Sequence, residues 1–304
     1  MTVSCQTWGW EWGTDDMVEA MRQLKGLGVN WIAIHPYARI RDDGTVAMSR
    51  VDGEHDWLTR PIREAHGLDL KIMIKPHLAY WGSSFDWRGQ IAFKNEAHWQ
   101  RFFAQYERWI TRLGDVCADA DAFVVGTELD RTVHREKQWR GIISALRTRY
   151  DGPLTYAANW SDYEKVPFWD ALDVIAIQAY FPLMRRRGLP EPRDLETAWR
   201  ALLKRLGAFS RRHDRKILFS ELGYDRSELA AVRPWEGGGG SGGAIADQTQ
   251  RRCLAAALRA IESDDRVVGA FLWKWFPGRT RHEDFLMSEP MVRRVIEDHW
   301  GEAP

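Results

Sequence analysis

Two glutamates each follow a short apolar run whose residues favour β-structure. Glu128 follows AFVVGT, and Glu221 follows ILFS. A carboxylate beside a buried strand costs free energy unless it is paired or used, and either glutamate taken singly fits a structural ion pair with Arg39, Lys75 or Arg88. Taken together, two such carboxylates can divide the work of a general acid and of a nucleophile or base.

Aromatic and polar side chains follow most of the other apolar runs. The chain has 17 tryptophans, whose flat faces either fill cores or stack on the apolar faces of ligands such as sugar rings. Two carboxylates among aromatic residues suit glycoside hydrolysis. We therefore expect a substrate-binding set around the two glutamates. Its members are Trp10, Arg39, Lys75, His77, Trp81, Trp87, Asn159, Trp160, Tyr180, Tyr224 and Trp273.

We expect no metal and no other cofactor. His35 and His77 do not have the spacing of a metal motif, and we expect them to hydrogen-bond to substrate or to the carboxylates. Cys5, Cys117 and Cys253 are odd in number and far apart. That pattern is typical of reduced, partly buried thiols rather than of disulfides or a zinc site.

The fold that must position these side chains follows from eight apolar runs separated by helical patterns. Continuous apolar runs are typical of strands buried on both faces of a parallel sheet. Eight strands alternating with helices predict a single (β/α)8 TIM barrel over residues 1–304, with a doubly wound sheet as the alternative. The predicted strands are Val3–Trp8, Trp31–His35, Lys71–Lys75, Ala122–Gly126, Leu154–Ala158, Val174–Gln178, Ile217–Ser220 and Gly269–Lys274.

Between these strands, apolar residues recur at spacings of three and four, as in helices that pack on a core. Thr14 is placed to cap the first helix, which ends near Gly28, and Pro290 opens a last helix through Trp300. The run GGGGSGG lacks the Lys-Ser/Thr of a phosphate-binding loop, so we interpret residues near 236–244 as a flexible loop within the barrel. In such a barrel the carboxyl ends of the strands carry the chemistry.

Composition excludes several classes of protein. Hydrophobic residues make up 44% and charged residues 28% of the chain, and the formal net charge is zero. That balance is typical of a globular protein and gives no bulk attraction to nucleic acid or acidic membranes. No apolar stretch approaches the length of a membrane span. Met1–Trp8 does not resemble a signal peptide, so we expect a cytoplasmic protein or a secreted one whose leader has been removed.

Several short motifs together resemble glycoside hydrolase family 113, the β-mannanase-like members of a large clan of retaining (β/α)8 glycosidases. GTEL at Gly126–Leu129 and SELGY at Ser220–Tyr224 occur in that order, each at the end of a predicted strand. The resemblance extends from the first predicted strand through the eighth. The other motifs are KPH at Lys75–His77, WRG at Trp87–Gly89, AYFPL at Ala179–Leu183, PWE at Pro234–Glu236 and FLWKWF at Phe271–Phe276.

The resemblance implies roles for individual residues. In that clan the acid/base glutamate ends the fourth strand, which matches Glu128, and the nucleophile ends the seventh, which matches Glu221. The strand-six tyrosine that can hydrogen-bond the nucleophile matches Tyr180, and the strand-eight aromatic beneath the reacting sugar matches Trp273. Thr127 stands where the wider clan has asparagine, which leaves open what binds the sugar 2-hydroxyl. The implied substrate is mannan.

Three interpretations of function follow. The first is a retaining β-glycoside hydrolase that acts on β-1,4-mannan or a related β-linked oligosaccharide by a two-glutamate double displacement. The second is a glycan-binding barrel of a phage-tail-like assembly. The third is a barrel that processes amino sugars or peptidoglycan, in which Asp86, Asp130 or Asp225 pairs with an amino group. The presence of both Glu128 and Glu221 favours catalysis, and the expected partner is an oligo- or polysaccharide, not nucleic acid or a membrane.

The double displacement sets electrostatic expectations for the two glutamates. Glu128 has to be protonated to serve as the acid, so its pKa should be raised, whereas Glu221 has to be ionised to attack. Arg39 is the first candidate for the cation that favours the ionised form of Glu221. In a retaining enzyme the two carboxyl groups lie about 5–5.5 Å apart.

Overall fold

The computed structural model describes residues 1–48, 55–237, 242–282 and 284–301. The strands are β1 (Trp31–Ile34), β2 (Tyr37–Ile40), β3 (Val46–Met48), β4 (Lys71–Ile74), β5 (His77–Ala79), β6 (Ala122–Thr127), β7 (Leu154–Asn159), β8 (Ile175–Gln178), β9 (Ile217–Leu222) and β10 (Val267–Leu272). Seven of them form one parallel sheet in the order β1-β4-β6-β7-β8-β9-β10. These seven confirm all but the first of the predicted strands, with small shifts at their ends.

The amino terminus closes this sheet into a barrel. Thr2 forms a parallel bridge with Ala33 of β1, and Val3 forms one with Trp275, just beyond β10. The amide of Val3 donates to the Ala33 carbonyl at 2.8 Å, and the amide of Thr2 donates to the Leu272 carbonyl at 2.9 Å. Counted from this segment, β6 is the fourth strand of the barrel and β9 the seventh. The predicted (β/α)8 barrel is confirmed, and the doubly wound sheet is not.

The predicted first strand, Val3–Trp8, is wrong in its extent. Pairing stops after its first residues, and the chain turns toward a 3-10 helix at Trp10–Gly13. The Glu11 carboxylate accepts the amides of Gln6 and Thr7 at 2.7 and 2.8 Å. A side chain rather than a neighbouring strand therefore satisfies these backbone groups.

Two barrel strands continue past a proline into a second, smaller sheet. β2 follows Pro36 and β5 follows Pro76, and they pair in parallel while β3 adds to β2 in antiparallel orientation. Proline has no amide hydrogen to donate to a ladder, so it interrupts the pairing of the barrel strands. The sequence predicts only loops after each proline and misses this sheet, which carries Arg39 and His77 at the carboxyl end of the barrel.

Helices follow the barrel strands, and the predicted apolar stripes are buried. In the first helix these residues include Met17, Met21 and Leu24. Thr14 precedes that helix as predicted, but its hydroxyl donates to the Glu11 carbonyl at 2.7 Å and does not cap the helix. The helices are α1 (Asp15–Gly26), α2 (Asp56–Gly67), α3 (Glu96–Val116), α4 (Glu136–Arg147), α5 (Pro192–His213), α6 (Ala244–Glu262) and α7 (Pro290–Trp300).

The tryptophans are divided between the core and the surface. Eight of the 17 tryptophans are buried, and the other nine are partly or fully exposed. Apart from Trp31 and Trp300, the exposed ones lie in the segments that follow barrel strands. The most enclosed are Trp12, Trp109, Trp139, Trp169 and Trp199.

Two further features bear on the sequence predictions. Throughout the described ranges, no helix combines the length and apolar character that crossing a membrane requires. The predicted flexible loop near residues 236–244 includes residues 238–241, which lie outside the described residues.

Candidate active site

The seventh barrel strand positions one glutamate directly. Glu221 lies within β9, in register with Gln178 of β8, and is 4% exposed. Its Oε1 lies 2.5 Å from Lys75 Nζ, and the Tyr180 hydroxyl donates to its Oε2 at 2.8 Å. One cation and one hydroxyl thus hold the two oxygens of a buried carboxylate.

The cation beside Glu221 is fully enclosed. Lys75 follows β4, is 0% exposed, and also donates from Nζ to the Ser220 carbonyl at 3.1 Å. Burial lowers the pKa of Lys75, and the negative charge of Glu221 opposes that shift. The expectation that Arg39 supplies this cation is wrong. Arg39 is exposed, and its guanidinium lies 5.1 Å from the ring centroid of Trp8.

Two buried histidines form an aromatic stack beside this carboxylate. The His77 ring stacks on His35 at 4.9 Å between centroids and on Trp273 at 6.1 Å. Burial holds the pKa of both histidines well below the usual value, so both are neutral at neutral pH. His77 Nε2 is 3.8 Å from Glu221 Oε1, too far for the expected hydrogen bond. The described residues contain no group of three side chains suited to hold a metal ion.

The same stack includes Trp273, the aromatic residue that the resemblance places beneath the reacting sugar. Trp273 follows β10 and is partly exposed, and its peptide bond to Lys274 is cis. His77 stacks on the ring, and Lys75 Nζ lies 5.0 Å from its centroid. Because buried groups hold one part of the indole, the rest of its surface is available to an apolar ligand face.

The fourth barrel strand leads into the second glutamate through an uncommon backbone conformation. Glu128 has a φ of 52°, in the left-handed region that non-glycine residues rarely adopt. Its amide donates to the Ala157 carbonyl at 2.8 Å, and the amide of Leu129 donates to the Tyr156 hydroxyl at 2.8 Å. Hydrogen bonds on both sides hold this turn, and such conformations concentrate at functional positions.

Arg88 and Asn159 flank the carboxyl group of Glu128. Arg88 Nη1 donates to Oε2 at 3.1 Å, and Asn159 Nδ2 lies 3.5 Å from Oε1, at the outer limit of a hydrogen bond. Burial raises the pKa of Glu128 to about 7, an effect that Arg88 opposes and the charge of Glu221 reinforces. This agrees with the raised pKa expected of a general acid. The two glutamates therefore have different surroundings, as acid and nucleophile pairs do.

The loop that carries Arg88 depends on a glycine. The Trp87 indole folds back over Gly89, where a Cβ atom would come within 2.1 Å of the ring. Any larger residue at this position would displace the ring or the loop. Close packing of the WRG motif therefore supports the turn that brings Arg88 to Glu128.

A third carboxyl group lies near Glu128. Burial, followed by the charge of Glu128, raises the pKa of Asp130 to about 8. The other acidic residues considered for pairing with an amino group are placed differently. Asp225 is buried and accepts the amide of Phe285 at 2.9 Å, and Asp86 is exposed. Asp130 therefore lies in the electrostatic surroundings of Glu128.

An exposed aromatic surface lies on the side of β2 and β5. Trp81 is 51% exposed, and its ring contacts those of Trp8, Tyr37 and Tyr80 with centroid separations of 6.1, 5.6 and 6.2 Å. We call these four rings the Trp81 surface. Tyr37 also contacts His77 at 5.9 Å, which connects this surface to the buried stack beside the seventh-strand glutamate.

A second exposed aromatic surface lies beside Glu128. Trp160 directly follows Asn159, and its ring stacks on that of Trp235 at 5.2 Å with an interplanar angle of 18°. Trp235 is 45% exposed. We call this pair the Trp160–Trp235 stack. Trp235 lies far from any strand end in the sequence, so only the motif PWE indicates this residue.

Other predicted residues are enclosed rather than open to a ligand. Tyr224 is 1% exposed in the core, and its carbonyl accepts from the Gln250 side chain at 2.9 Å. The expectation that Tyr224 binds substrate is therefore wrong. Lys75 and His77 are also buried. Lys75 pairs with Glu221, and His77 lies beside the same carboxylate. Trp10 is partly exposed and packs on a neighbouring tryptophan ring at 5.4 Å.

Comparison with known proteins agrees with the resemblance of the motifs. The family model of Glycoside Hydrolase Family 113 matches residues 1–286. The chain is similar to the GH113 β-mannanase AaManA from Alicyclobacillus acidocaldarius in complex with ManMIm, with a TM-score of 0.83 and 24% identity over 98% of this chain and 96% of that chain. It is also similar to a GH113 β-1,4-mannanase, with a TM-score of 0.82 and 22% identity over 100% of this chain and 98% of that chain. The similarity to the Ruminococcus gnavus β-glucuronidase is lower, with a TM-score of 0.64 and 12% identity over 98% of this chain and 49% of that chain.

No curated protein matches the chain. The solved structures support the barrel fold, and the family model spans the amino-terminal segment, every barrel strand and both glutamates. The chain belongs to Glycoside Hydrolase Family 113 and is a glycoside hydrolase.

Proposed function

We propose that the protein is a retaining β-glycoside hydrolase that cleaves β-1,4-mannan or a closely related β-linked oligosaccharide. The contrast between two carboxyl groups carries the proposal. Glu221 is buried in contact with Lys75 and Tyr180, whereas Glu128 lies beside Arg88 and has a pKa of about 7. Family membership and similarity to structures described as β-1,4-mannanases support the choice of substrate.

In the first step, a Glu221 oxygen forms a bond to the anomeric carbon. The glycosidic bond breaks, its electron pair passes to the leaving oxygen, and that oxygen takes the proton of Glu128. A carboxyl group with a pKa near the working pH is well suited to this donation. The product of the step is a glycosyl ester on Glu221.

In the second step, Glu128 acts as a base. Esterification removes the charge of Glu221, which had raised the pKa of Glu128, so that pKa falls. Glu128 then takes a proton from water while the water oxygen bonds to the anomeric carbon and the ester bond breaks. Two inversions at one carbon leave the configuration retained.

The two exposed aromatic surfaces suit sugars on opposite sides of the cleavage point. The Trp81 surface is joined through aromatic contacts to the stack beside Glu221. The Trp160–Trp235 stack adjoins Asn159, which lies at Glu128. We infer that the Trp81 surface binds the part of the chain that is transferred to the nucleophile. The Trp160–Trp235 stack binds the leaving part.

The 2-hydroxyl of the reacting sugar needs a polar partner other than Thr127. The Thr127 hydroxyl donates to the Pro76 carbonyl at 3.0 Å, and the residue is 1% exposed. Asn159 is only partly buried, and among the described residues its amide nitrogen has one hydrogen-bond contact, the long one to Glu128. We infer that Asn159 turns this amide toward a sugar hydroxyl when substrate binds.

Product analysis on a panel of β-glycans tests the proposal. Mannan and glucomannan should be cleaved, and proton NMR during cleavage should show the β-anomer as the first product. Chitosan and peptidoglycan fragments in the same panel test the amino-sugar alternative, for which Asp130 is an acidic group close to Glu128. Failure to cleave both mannan and glucomannan, or initial release of the α-anomer, would contradict the proposed function.

A further inference from the structure

Lys75 is the one lysine or arginine within ion-pair distance of Glu221 in the described part of the chain. Its Nζ lies 2.5 Å from Oε1, 3.1 Å from the Ser220 carbonyl oxygen and 5.0 Å from the ring centroid of Trp273. The residue is 0% exposed. Because solvent does not reach the ammonium group, its charge is compensated chiefly by Glu221.

Formation of a glycosyl ester would remove that compensating anion. The ester of Glu221 is neutral, and the remaining contacts of Lys75 are a carbonyl oxygen and an aromatic ring. A buried charge that loses its direct counterion is unfavourable. The carbonyl, the ring and the more distant Glu128 carboxylate, which forms when the acid gives up its proton, offset this only in part. The covalent intermediate therefore lies higher in free energy, relative to the free enzyme, than it would without Lys75.

We propose that Lys75 acts mainly on the second half of the reaction, by disfavouring the glycosyl-enzyme and promoting departure of the Glu221 carboxylate. The proposal rests on the double displacement proposed above. In that step the water oxygen bonds to the anomeric carbon, and a water proton passes to Glu128. The bond from the anomeric carbon to Glu221 breaks, its electron pair stays on the Glu221 oxygen, and the carboxylate re-forms its ion pair with Lys75.

The same charge has opposite effects on the two steps. It stabilises the Glu221 carboxylate in the free enzyme, which makes the oxygen less ready to attack. It also stabilises the carboxylate that re-forms, which makes the ester a better substrate for water. Lys75 thus slows the first step and accelerates the second, so little glycosyl-enzyme accumulates.

The two neutral groups beside Glu221, Tyr180 and His77, do not carry this effect. The Tyr180 hydroxyl donates to Oε2 at 2.8 Å and can donate equally to an ester oxygen. His77 is a neutral ring whose Nε2 is 3.8 Å from Oε1. Removal of the charge and removal of a neutral donor should therefore have different kinetic consequences.

The test uses a dinitrophenyl β-mannobioside, for which a good leaving group makes the first step fast. Lys75→Met removes the charge with little change in side-chain length. We expect kcat to fall about ten-fold or more, whereas kcat/KM, which reports the first step, falls less or rises. A burst of one dinitrophenolate per active site should precede the steady state. Intact-mass spectrometry should show the sugar adduct, and azide should raise kcat.

Two further variants separate charge from hydrogen bonding. Lys75→Gln keeps a donor without the charge, so it should behave like Lys75→Met, and it replaces that variant if methionine prevents folding. Tyr180→Phe removes the neutral donor from the same carboxylate, and should lower kcat and kcat/KM together without a burst.

The outcomes distinguish this proposal from the function on which it rests. Equal losses in kcat and kcat/KM without a burst in folded Lys75 variants, or a kcat like that of the wild type, would overturn the role of Lys75. A wild-type enzyme that hydrolyses no aryl β-glycoside in a Glu221-dependent manner would overturn the proposed function itself.

Discussion

Arg88 donates a hydrogen bond from Nη1 to Oε2 of Glu128 at 3.1 Å, although the two residues are 40 positions apart in the chain. Burial raises the pKa of Glu128, the Arg88 guanidinium lowers it and the charge of Glu221 raises it again. The resulting pKa is about 7. General acid catalysis is most efficient when the pKa of the acid lies near the working pH. We therefore expect the Arg88–Glu128 pair to set the upper end of the working pH range.

Replacement of Arg88 by glutamine should move the basic limb of the pH profile of kcat/KM to higher pH. The cation favours the ionised form of Glu128, so its loss raises the pKa of Glu128 and keeps this acid protonated at higher pH. The basic limb should move by about one pH unit or more. The matched control is Arg140→Gln, which removes a surface cation paired with Glu136 and Asp170. That variant should leave the limb unchanged, and an unmoved limb in Arg88→Gln would show that the pair does not tune the acid.

Substitution of the two glutamates by alanine should separate their roles. Glu221→Ala should abolish turnover of every substrate, because no nucleophile remains. Glu128→Ala should slow substrates with sugar leaving groups by about 10²–10⁴-fold, yet still form the glycosyl-enzyme from activated aryl glycosides.

Azide provides the diagnostic measurement for these variants. A small anion can enter the space left by Glu128 and attack without a base, so Glu128→Ala should release the β-azide of the sugar, identifiable by NMR. Glu96→Ala, which removes a surface carboxylate paired with Arg135, is the control and should keep wild-type turnover. Near-normal activity of Glu221→Ala would refute the assignment of the nucleophile.

Trp273→Ala should reduce activity more than it reduces stability. The lost stacking surface should cost about 1–3 kcal/mol of transition-state binding, by analogy with the stacking of bases on aromatic side chains. The ring is partly exposed, whereas Trp12 is fully buried, so Trp12→Ala should lower the free energy of unfolding by about 3–5 kcal/mol. Activity and melting temperature measured on both variants check this. A melting temperature of Trp273→Ala that falls as far as that of Trp12→Ala would make the residue part of the core.

The two exposed aromatic surfaces should respond differently to the leaving group. Trp235→Ala should lower kcat/KM for long oligosaccharides but not for aryl glycosides, because an aryl leaving group does not need the Trp160–Trp235 stack. Trp81→Ala should lower kcat/KM for both substrates, because both place sugars on the Trp81 surface. The expected loss is about 0.5–1.5 kcal/mol in each affected case. Identical substrate profiles for the two variants would contradict the assigned sides.

Much of the fold and the positions of the two glutamates in it could be predicted from local sequence patterns. The apolar run before Glu128 and the run that leads into Glu221 are buried strands, because a strand covered on both faces leaves no room for alternating polar residues. Seven of the predicted strands are confirmed on this ground. The first prediction extended too far, because the apolar residues after Ser4 pack in a turn that Glu11 holds by accepting backbone amides.

What the sequence by itself determined was the barrel, the family and the two carboxylates at its fourth and seventh strands. Only the tertiary structure decided which cation serves which carboxylate. Lys75 reaches Glu221 across 146 residues of chain, and Arg39 instead lies over Trp8. The physical reason is that strand and helix periodicity report burial along one element, whereas ion pairing depends on distances between elements that only the closed barrel sets. For the same reason Tyr224, which follows a strand as the other candidates do, is in the core and not at the site.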